Sequence, residues 1–442
     1  MSNEPPRSGD YNRADIQVLE PVELIRRRPG MYIGDVHDGS GLHHLVGTVL
    51  DNCIDQSLAG LASEVTITLL EDGVVEVEDN GCGISAELVT TALTRWQRLP
   101  TFSDYMQLTA GYLFVISALS EFFELTTRRG GQEHRQRFER GRAVTDLEQT
   151  AQTTVTGTKV RMKRDPEIFG QVNFDSDAIA RCLRDVAAMN PGLTTSLRRP
   201  GHPERRHRYA RGVADLVNAM TRTRSAIQQD AIHGKANEER VTVDIAFKWV
   251  ERGPGRVRSF VNNEPIRRSS TAISGFRRGI MRAAHAFSSR AKWAALEEGL
   301  VASISVLHPS PQFDQTGTRS ALTNPEVDPL VAGVVEHALG VAVERDPGLF
   351  ERVLARPRPR PLGGSLEHDR VLEAVARAPN DHEGNLVFAD WLLERGDPRG
   401  EGLALRCMAA RETDTDRRIA LESHANDLLT VHGWGAAPSW WD

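Results

Sequence analysis

Apolar residues recur every three or four positions early in the chain, which is the spacing of an amphipathic helix. They are Leu42, Leu45, Val46, Val49, Leu50, Cys53, Ile54 and Leu58. One face of the helix should therefore be buried in a core. The other face carries Thr48, Asn52 and Asp55 about one turn apart. Two interpretations of this polar face remain open: a solvated surface, or one wall of a binding site.

Two alternating runs follow this helix and predict a β-hairpin. The stretch VTITLLEDGVVEVED alternates apolar and polar residues on both sides of the Glu-Asp-Gly turn at residues 71–73. The second run ends at Asp79, and Gly81, Gly83 and Ile84 come directly after it. Glycines beside an acid at the end of a strand let a ligand approach the backbone closely. An acid that only caps the turn is the alternative for Asp79.

Composition narrows the class of protein. The chain has 442 residues, a net charge of −6 and 40% hydrophobic residues, which excludes a disordered protein and argues against one that coats nucleic acid. Its four cysteines form no C-x-x-C pair. No stretch looks like a signal peptide or a membrane span, so a reduced cytoplasm is the expected location and no membrane partner is expected.

The motifs together resemble a known family. RRRPGMYIGD at residues 26–35, the helix after it and the Asp-Asn-Gly-Cys-Gly turn at residues 79–83 are similar to the N-terminal ATPase and transducer region of DNA gyrase B and topoisomerase IV B. This family belongs to the GHKL superfamily of ATPases. The resemblance implies an α+β chain with a GHKL-type (Bergerat) α/β sandwich and a ribosomal-S5-like α/β transducer domain.

The resemblance and the composition together predict the domain organisation. An alternating strand at 241–247 and a helical pattern at 274–287 fit the transducer, and the stretch from Arg356 to Gly364 is rich in proline and arginine, as a stiff linker would be. We therefore predict an arm at 1–20, an ATPase-like domain at 21–215, a transducer-like domain at 216–350, a linker at 351–364 and a small helical module at 365–442.

The resemblance also implies a site for ATP and Mg²⁺. The family's Mg²⁺-binding asparagine corresponds to Asn52, and its adenine-reading aspartate corresponds to Asp79. The family's threonine at that end corresponds to Thr158, and the arginine under the adenine corresponds to Arg135. The full set of implied nucleotide-binding residues is Asn52, Asp55, Asp79, Gly81, Gly83, Ile84, Arg135, Thr158 and Gln315.

The departures from the family lie where its phosphate chemistry would be. Thr48 stands in place of the general-base glutamate, and a hydroxyl cannot take a proton from water near neutral pH. Gln56 and Cys82 replace a Glu–Arg pair, residues 107–112 keep one glycine of the lid, and Gly317 replaces the lysine of a Gln-Thr-Lys motif. No catalytic residue is assigned with Thr48 in this position.

These observations predict a gyrase-B-like degenerate ATPase module, a pseudoenzyme that binds ATP weakly, does not hydrolyse it efficiently, and acts as a regulatory or interaction protein. One alternative is an ATP-hydrolysing type II topoisomerase subunit or a fragment of one, with catalysis rewired. The other is a nucleotide-free dimeric scaffold. The alternatives differ in whether ATP binds and whether it turns over.

Three segments suggest partners. Tyr11 and Ile16 match the arm that the family exchanges across a homodimer, although a frayed terminus fits them equally. The arginine-rich stretch at 196–212 could contact DNA phosphates, but a solvated hairpin is the favoured interpretation. The stretch ADWLLERGDPRGE at 389–401 resembles a short bacterial repeat-companion module, so a topoisomerase subunit or another protein could bind through residues 365–442.

Overall fold

The computed structural model describes residues 20–95, 99–106, 112–251, 255–266, 270–314 and 321–356, and, in the tail, 386, 389, 393, 399–412, 414, 417–422, 424 and 425. Several predictions from the sequence fall outside these residues: the arm with Tyr11 and Ile16, lid residues 107–111, Gln315 with Gly317, and residues 357–364 of the linker. Among the described helices, none is long and apolar enough to cross a membrane.

The first domain is built from seven helices and nine strands of the described chain. The helices are α1 (Pro21–Arg27), α2 (Gly30–Ile33), α3 (Ser40–Leu58), α4 (Ala86–Thr94), α5 (Leu113–Leu119), α6 (Pro166–Phe169) and α7 (Ser176–Met189). The strands are β1 (Glu64–Leu69), β2 (Val74–Asp79), β3 (Ser120–Arg129), β4 (Gln132–Glu139), β5 (Arg142–Ala143), β6 (Glu148–Gln152), β7 (Gly157–Arg164), β8 (Thr194–Arg198) and β9 (Arg205–His207).

These strands form one sheet whose inner face holds the core. Their order is β5-β4-β3-β7-β2-β1-β8-β9, with β6 paired to β4. The predicted hairpin is present, since β1 and β2 pair antiparallel with Val65 opposite Asp79. The apolar face of α3 is buried against the sheet as its spacing indicates, with Leu42 and Leu45 at most 1% exposed. The sheet and α3 therefore place the end of β2 beside the polar face of α3.

The second domain is a smaller sheet with helices on both faces. Its strands are β10 (Ile232–Glu238), β11 (Val241–Trp249), β12 (Arg256–Val261), β13 (Glu264–Ile266) and β14 (Leu300–Leu307), in the order β10-β11-β14-β12-β13. The helices are α8 (Val213–Met220), α9 (Thr271–Phe287), α10 (Trp293–Glu297), α11 (Val327–Arg345) and α12 (Leu349–Leu354). The core includes Phe350 and Val353, so the packed domain continues past the boundary that we placed at residue 350.

The two domains share a buried junction. Ala187 of α7 and Val213 of α8 pack in one apolar cluster with Ala246 of β11 and Val301 of β14, all fully buried. Two polar links cross beside this cluster: the guanidinium of Arg258 on β12 binds the carboxylate of Asp185 on α7, and Asn190 Nδ2 donates to Asn263 Oδ1 over 2.6 Å. The described tail adds α13 (Arg399–Arg411).

The arginine-rich stretch at 196–212 forms the hairpin that the sequence favoured. Strands β8 and β9 pair antiparallel across it. Four of its arginines bind acids: Arg205 contacts Asp177, Arg206 contacts Glu64, Arg198 contacts Glu204, and Arg211 contacts Asp215. These ion pairs compete with phosphate for the same guanidinium groups.

Candidate nucleotide site

A cavity of about 210 Å³ opens beside the polar face of α3. The end of β2, the glycine turn after it, α4, β7 and the start of α5 form the other walls. Most of the lining is apolar: Val49, Cys53, Val77, Ile84, Leu88, Leu99, Leu113 and Val160. A few polar groups, among them Asn52, Asp55, Asp79 and Thr158, lie between these apolar side chains. An apolar pocket with few directed polar groups is the usual form of a small-molecule site.

Asp79 ends β2 at the bottom of this cavity and is 5% exposed. Its Oδ1 accepts hydrogen bonds from the backbone N–H groups of Gly81 at 2.8 Å and Thr158 at 3.2 Å, and its Oδ2 accepts from the thiol of Cys53 at 3.3 Å. Burial raises the pKa of Asp79, against the lowering effect of these donors. The carboxylate still has acceptor capacity on Oδ2 for a ligand donor.

Thr158 completes what we call the Asp79 end of the cavity, which Cys53, Asp79 and Thr158 line and in which Gly81 and Gly157 contact Asp79. Its hydroxyl is buried and has no hydrogen-bond partner among the described residues. A buried hydroxyl without a partner costs about 1–3 kcal/mol, and a ligand in the cavity that Thr158 lines could satisfy it. The Asp79 end thus offers one carboxylate acceptor and one unused hydroxyl.

Close backbone packing shapes this end, and glycines make it possible. Gly157 has φ of +143°, and a Cβ there would overlap the carbonyl oxygen of Asp79. Gly83 has φ of +72°, and a Cβ there would lie 2.5 Å from the carbonyl oxygen of Arg128. The start of β7 therefore packs against the end of β2, and the glycine turn packs against β3. Next to the turn, the backbone N–H and C=O of Ile84 both bind Thr127 Oγ1 at 2.8 Å.

The other end of the polar face, which we call the Thr48 end (Thr48 and Asn52), has no free base. Thr48 is 7% exposed and does not line the cavity, and its hydroxyl donates to the carbonyl oxygen of His44 over 3.0 Å within α3. Asn52 lines the cavity, and its Nδ2 donates to the carbonyl oxygen of Thr48 over 2.9 Å. This contact leaves Asn52 Oδ1 as an acceptor that could bind a cation.

Asp55 has a structural role at the cavity wall, where it binds backbone N–H groups. It is 3% exposed, and its two carboxylate oxygens accept from the backbone N–H groups of Phe102 at 2.7 Å and Ser103 at 2.8 Å. Burial raises its pKa, while these two donors oppose that effect. Asp55 therefore fixes the segment that leads toward the lid residues, and the buried polar face of α3 is a wall of the site rather than a solvated surface.

Gln56 and Cys82 keep a link between α3 and the glycine turn without a charge. Gln56 Oε1 accepts from the backbone N–H of Cys82 over 2.7 Å. Arg129, at the end of β3, donates to the carbonyl oxygen of Gly83 over 3.0 Å and is the one basic side chain among the described residues that line the cavity. A single guanidinium is a small positive charge for a triphosphate.

The structure does not bring Arg135 to the cavity. Val160, which lines the cavity, is opposite Leu125, and Leu125 is opposite Gln136. Because neighbouring residues on a strand point to opposite faces, Arg135 lies on the other face of the sheet. There its guanidinium binds the carboxylate of Glu124 over 2.5 Å.

Sequence reasoning missed two groups at the site, the guanidinium of Arg129 and the thiol of Cys53. The sequence gives one weak indication of Arg129, its position directly before the Gly130-Gly131 turn. It gives no indication that the thiol of Cys53 donates to Asp79. The described residues contain no cluster of three or more His, Cys, Asp or Glu side chains that could hold a metal. Any Mg²⁺ would therefore depend on Asn52 and on oxygens of its ligand.

The fold and this cavity define a GHKL-type ATPase domain joined to a transducer domain. Residues 37–163 match the model of histidine kinase-, DNA gyrase B- and HSP90-like ATPases, and residues 212–358 match the DNA gyrase B model. The chain belongs to the DNA gyrase B and topoisomerase IV B family and corresponds to the N-terminal ATPase and transducer region of its members.

Individual relatives agree with this assignment. The DNA gyrase B protein of Thermotoga maritima is 32% identical over 379 residues, which is 78% of this chain and 59% of that protein. The DNA gyrase B protein of Borreliella burgdorferi is 33% identical over 413 residues, which is 87% of this chain and 63% of that protein. The chain therefore spans less than two thirds of the length of these relatives.

A solved structure matches almost over its full length. It is the 43K ATPase domain of Thermus thermophilus gyrase B in complex with an aminocoumarin, with a TM-score of 0.66 and 30% identity, covering 76% of this chain and 94% of that one. The topoisomerase IV ATP-binding domain of Francisella tularensis, in complex with a small-molecule inhibitor, gives a TM-score of 0.63 at 25% identity over 77% of this chain.

Proposed function

We propose that this gyrase-B-like module binds the adenine end of ATP weakly, does not hydrolyse ATP efficiently, and acts as a regulatory or interaction protein. One contrast carries the proposal. Asp79 and Thr158 both line the cavity, and the Thr158 hydroxyl has no partner among the described residues, whereas the hydroxyl of Thr48 is bound to its own helix. The site recognises a ligand but holds no base for water in that position.

The residues of the Asp79 end fit an adenine ring. Its exocyclic amino group can donate to Asp79 Oδ2, and its ring nitrogen can accept from the Thr158 hydroxyl, which would then have a partner. The apolar side chains of Val77, Ile84 and Val160 cover the flat faces of such a ring. Bound Mg²⁺ would neutralise the charge of phosphate oxygens, and Asn52 would bind it through Oδ1.

Weak binding follows from the small positive charge at the cavity. Arg129 is the one basic side chain among its described lining residues, and it also donates to the Gly83 carbonyl oxygen. Charge-assisted hydrogen bonds to phosphate are about twice as strong as neutral ones, and one guanidinium that is already engaged supplies few of them. We therefore expect most of the binding free energy to come from the adenine end.

The test measures binding and turnover side by side. Calorimetric titration of the full chain with a non-hydrolysable Mg–ATP analogue should show saturable binding of one molecule per chain. A turnover assay should show a rate about 10²–10⁴-fold below that of a gyrase-type domain with its base in place. Turnover at the rate of ordinary gyrase-type domains would overturn the pseudoenzyme and support a working subunit. Absence of any binding would support the nucleotide-free scaffold.

We also propose that the chain forms a homodimer through residues 1–20. The support is the match of Tyr11 and Ile16 to the anchors of the family's exchanged arm. Light scattering should give twice the chain mass for the full protein and a monomer after deletion of residues 1–20. A monomer in both cases would refute the arm exchange.

A further inference from the structure

A second cavity lies at the junction of the two domains. It has a volume of about 410 Å³ and lies between α7 of the first domain and the β12–β13 hairpin of the second. It shares no lining residue with the nucleotide cavity. Residues from both domains therefore surround it, and a ligand here would contact the two domains at once.

Positive charge exceeds negative charge around this junction cavity. Arg184 and Arg258 share one carboxylate: Arg258 Nη1 donates to Asp185 Oδ1 over 2.8 Å, and Arg184 Nε donates to the same atom over 3.0 Å. Arg181 and Arg256 also line the cavity, bringing two more guanidinium groups. Two guanidinium groups on one buried carboxylate leave an excess positive charge that attracts an anion.

One further acid lines the junction cavity. The cavity is lined by two carboxyl groups, that of Asp185 and that of Glu422 in the described tail. Burial raises the pKa of Glu422, against the lowering effect of Arg418 and Arg184. Four basic and two acidic side chains thus line the cavity, and Asp175 lies 4.0 Å from Arg181 just outside the lining. The formal charge of this group is about +1 even when all three acids are ionised.

One residue that lines the same cavity carries a buried donor without a partner among the described residues. Asn263, at the tip of the β12–β13 hairpin, is 8% exposed and has φ of +70°. Its Oδ1 accepts from Asn190 Nδ2 over 2.6 Å, whereas its Nδ2 is buried without a partner among the described residues. A buried N–H group without an acceptor is unfavourable, so a ligand acceptor at this group would strengthen binding.

The rest of the lining is apolar and adaptable. Met189, Met220 and Phe260 contribute to the walls, together with Val186 and Ile266. Methionine side chains adjust to ligands of different shapes because they are unbranched and polarisable. These walls suit an apolar body better than a bare inorganic ion.

We propose that the junction cavity binds a small amphipathic anion, with its acidic group near Asn263 Nδ2 and the arginines and its apolar body against Met189, Met220 and Phe260. The ligand bridges α7 and the β12–β13 hairpin. Because it binds only the arrangement in which the two domains form this cavity, it stabilises their junction. This proposal is independent of the nucleotide site.

The test uses anilinonaphthalene sulfonate, a fluorescent anion with an apolar body, on the full chain. Asn263→Asp keeps the oxygen that accepts from Asn190 and replaces the unpartnered donor with an oxygen that repels an anion. We expect this variant to weaken binding about tenfold or more, measured by calorimetry. The control is Asn237→Asp, which makes the same charge change at an exposed position of β10 away from the cavity. This variant should bind the fluorescent anion as the parent does.

Further outcomes decide between the cavities and between ligand classes. Equal binding by the parent and Asn263→Asp would overturn the proposal, and so would loss of binding in Asp79→Asn, which would place the anion in the nucleotide cavity. Inorganic phosphate should bind far more weakly, and equal affinity would refute the amphipathic class. If Asn263→Asp alters the melting temperature, Arg256→Gln is measured instead, with a loss of about threefold expected. Unchanged binding in this second variant would also overturn the proposal.

Discussion

The Asp79 end and the Thr48 end of the nucleotide cavity belong to the same buried wall but use their polar groups differently. At the Asp79 end, backbone N–H groups and a thiol orient a carboxylate that lines the cavity, and the Thr158 hydroxyl has no protein partner among the described residues. At the Thr48 end, the hydroxyl is bound within α3, and the Asn52 amide donates to the same helix. The polar groups of the Asp79 end are available to a ligand, whereas those of the Thr48 end form hydrogen bonds within their own helix.

Under the proposed function, recognition and chemistry are separated within one fold. The orientation of Asp79 depends on strand pairing and on glycines, which the whole domain needs in order to fold. A general base depends on one side chain and can be replaced without disturbing the sheet. The predictions below test the two ends separately.

The largest expected effect is on the backbone that holds the Asp79 end together. Gly157→Ala should lower the free energy of unfolding by on the order of 3 kcal/mol, because its Cβ would overlap the Asp79 carbonyl oxygen at a positive φ. The control is Gly192→Ala, since Gly192 has φ of +97° and no atom within 4 Å of a Cβ. Denaturant unfolding measures both, and equal losses would show that the close approach is unimportant.

The next effect is on binding. Asp79→Asn should weaken binding of the Mg–ATP analogue about 10- to 150-fold, because a charge-assisted hydrogen bond contributes about 1.5–3 kcal/mol. Asp72→Asn, on the exposed turn before β2, removes the same charge and should bind normally. Calorimetry decides, and a normal affinity in Asp79→Asn would remove Asp79 from adenine recognition.

The pH dependence sharpens the same assignment. Burial raises the pKa of Asp79 above its usual value of 3.8, and the ionised carboxylate is a much stronger acceptor for an amino group than the protonated acid. Affinity should therefore be constant at neutral pH and fall as the pH drops through the raised pKa, by about tenfold per pH unit. Asp79→Asn should abolish this part of the pH profile. A profile shared by both proteins would assign the titration to another group.

The smallest expected effect is at Thr48. Thr48→Ala removes a hydroxyl that binds only the His44 carbonyl oxygen, so ATP turnover and affinity for the analogue should change less than about twofold. The measurement is a turnover assay alongside calorimetry. A loss of turnover in Thr48→Ala would show that the hydroxyl takes part in catalysis and would remove the contrast between the two ends.

Several predictions from the sequence are confirmed by the structure. The apolar spacing of α3 and the alternation of β1 and β2 are local signals, and both elements form where these patterns indicate. The hairpin of β8 and β9 is also present. These elements follow from the sequence because helix and strand periodicities depend on neighbouring residues.

Other features depend on residues that are distant in the chain. Asp55 faces Phe102 and Ser103 rather than only a ligand, and Arg135 lies on the face of the sheet away from the cavity. A family resemblance matches positions along the chain, but the direction of a side chain on β4 depends on strand register. That register is settled by β3 and β7 across the sheet.

The sequence by itself determined the family and its two α/β domains, and it predicted the contrast between Asp79 and a threonine at the position of the family's base. Only the tertiary structure decided the state of the two threonine hydroxyls: Thr48 donates to its own helix, and Thr158 has no partner among the described residues. It also decided that α7 and the β12–β13 hairpin enclose a second cavity. The physical reason is that residue identity and periodicity are local, whereas burial and hydrogen-bond partners depend on contacts between distant segments.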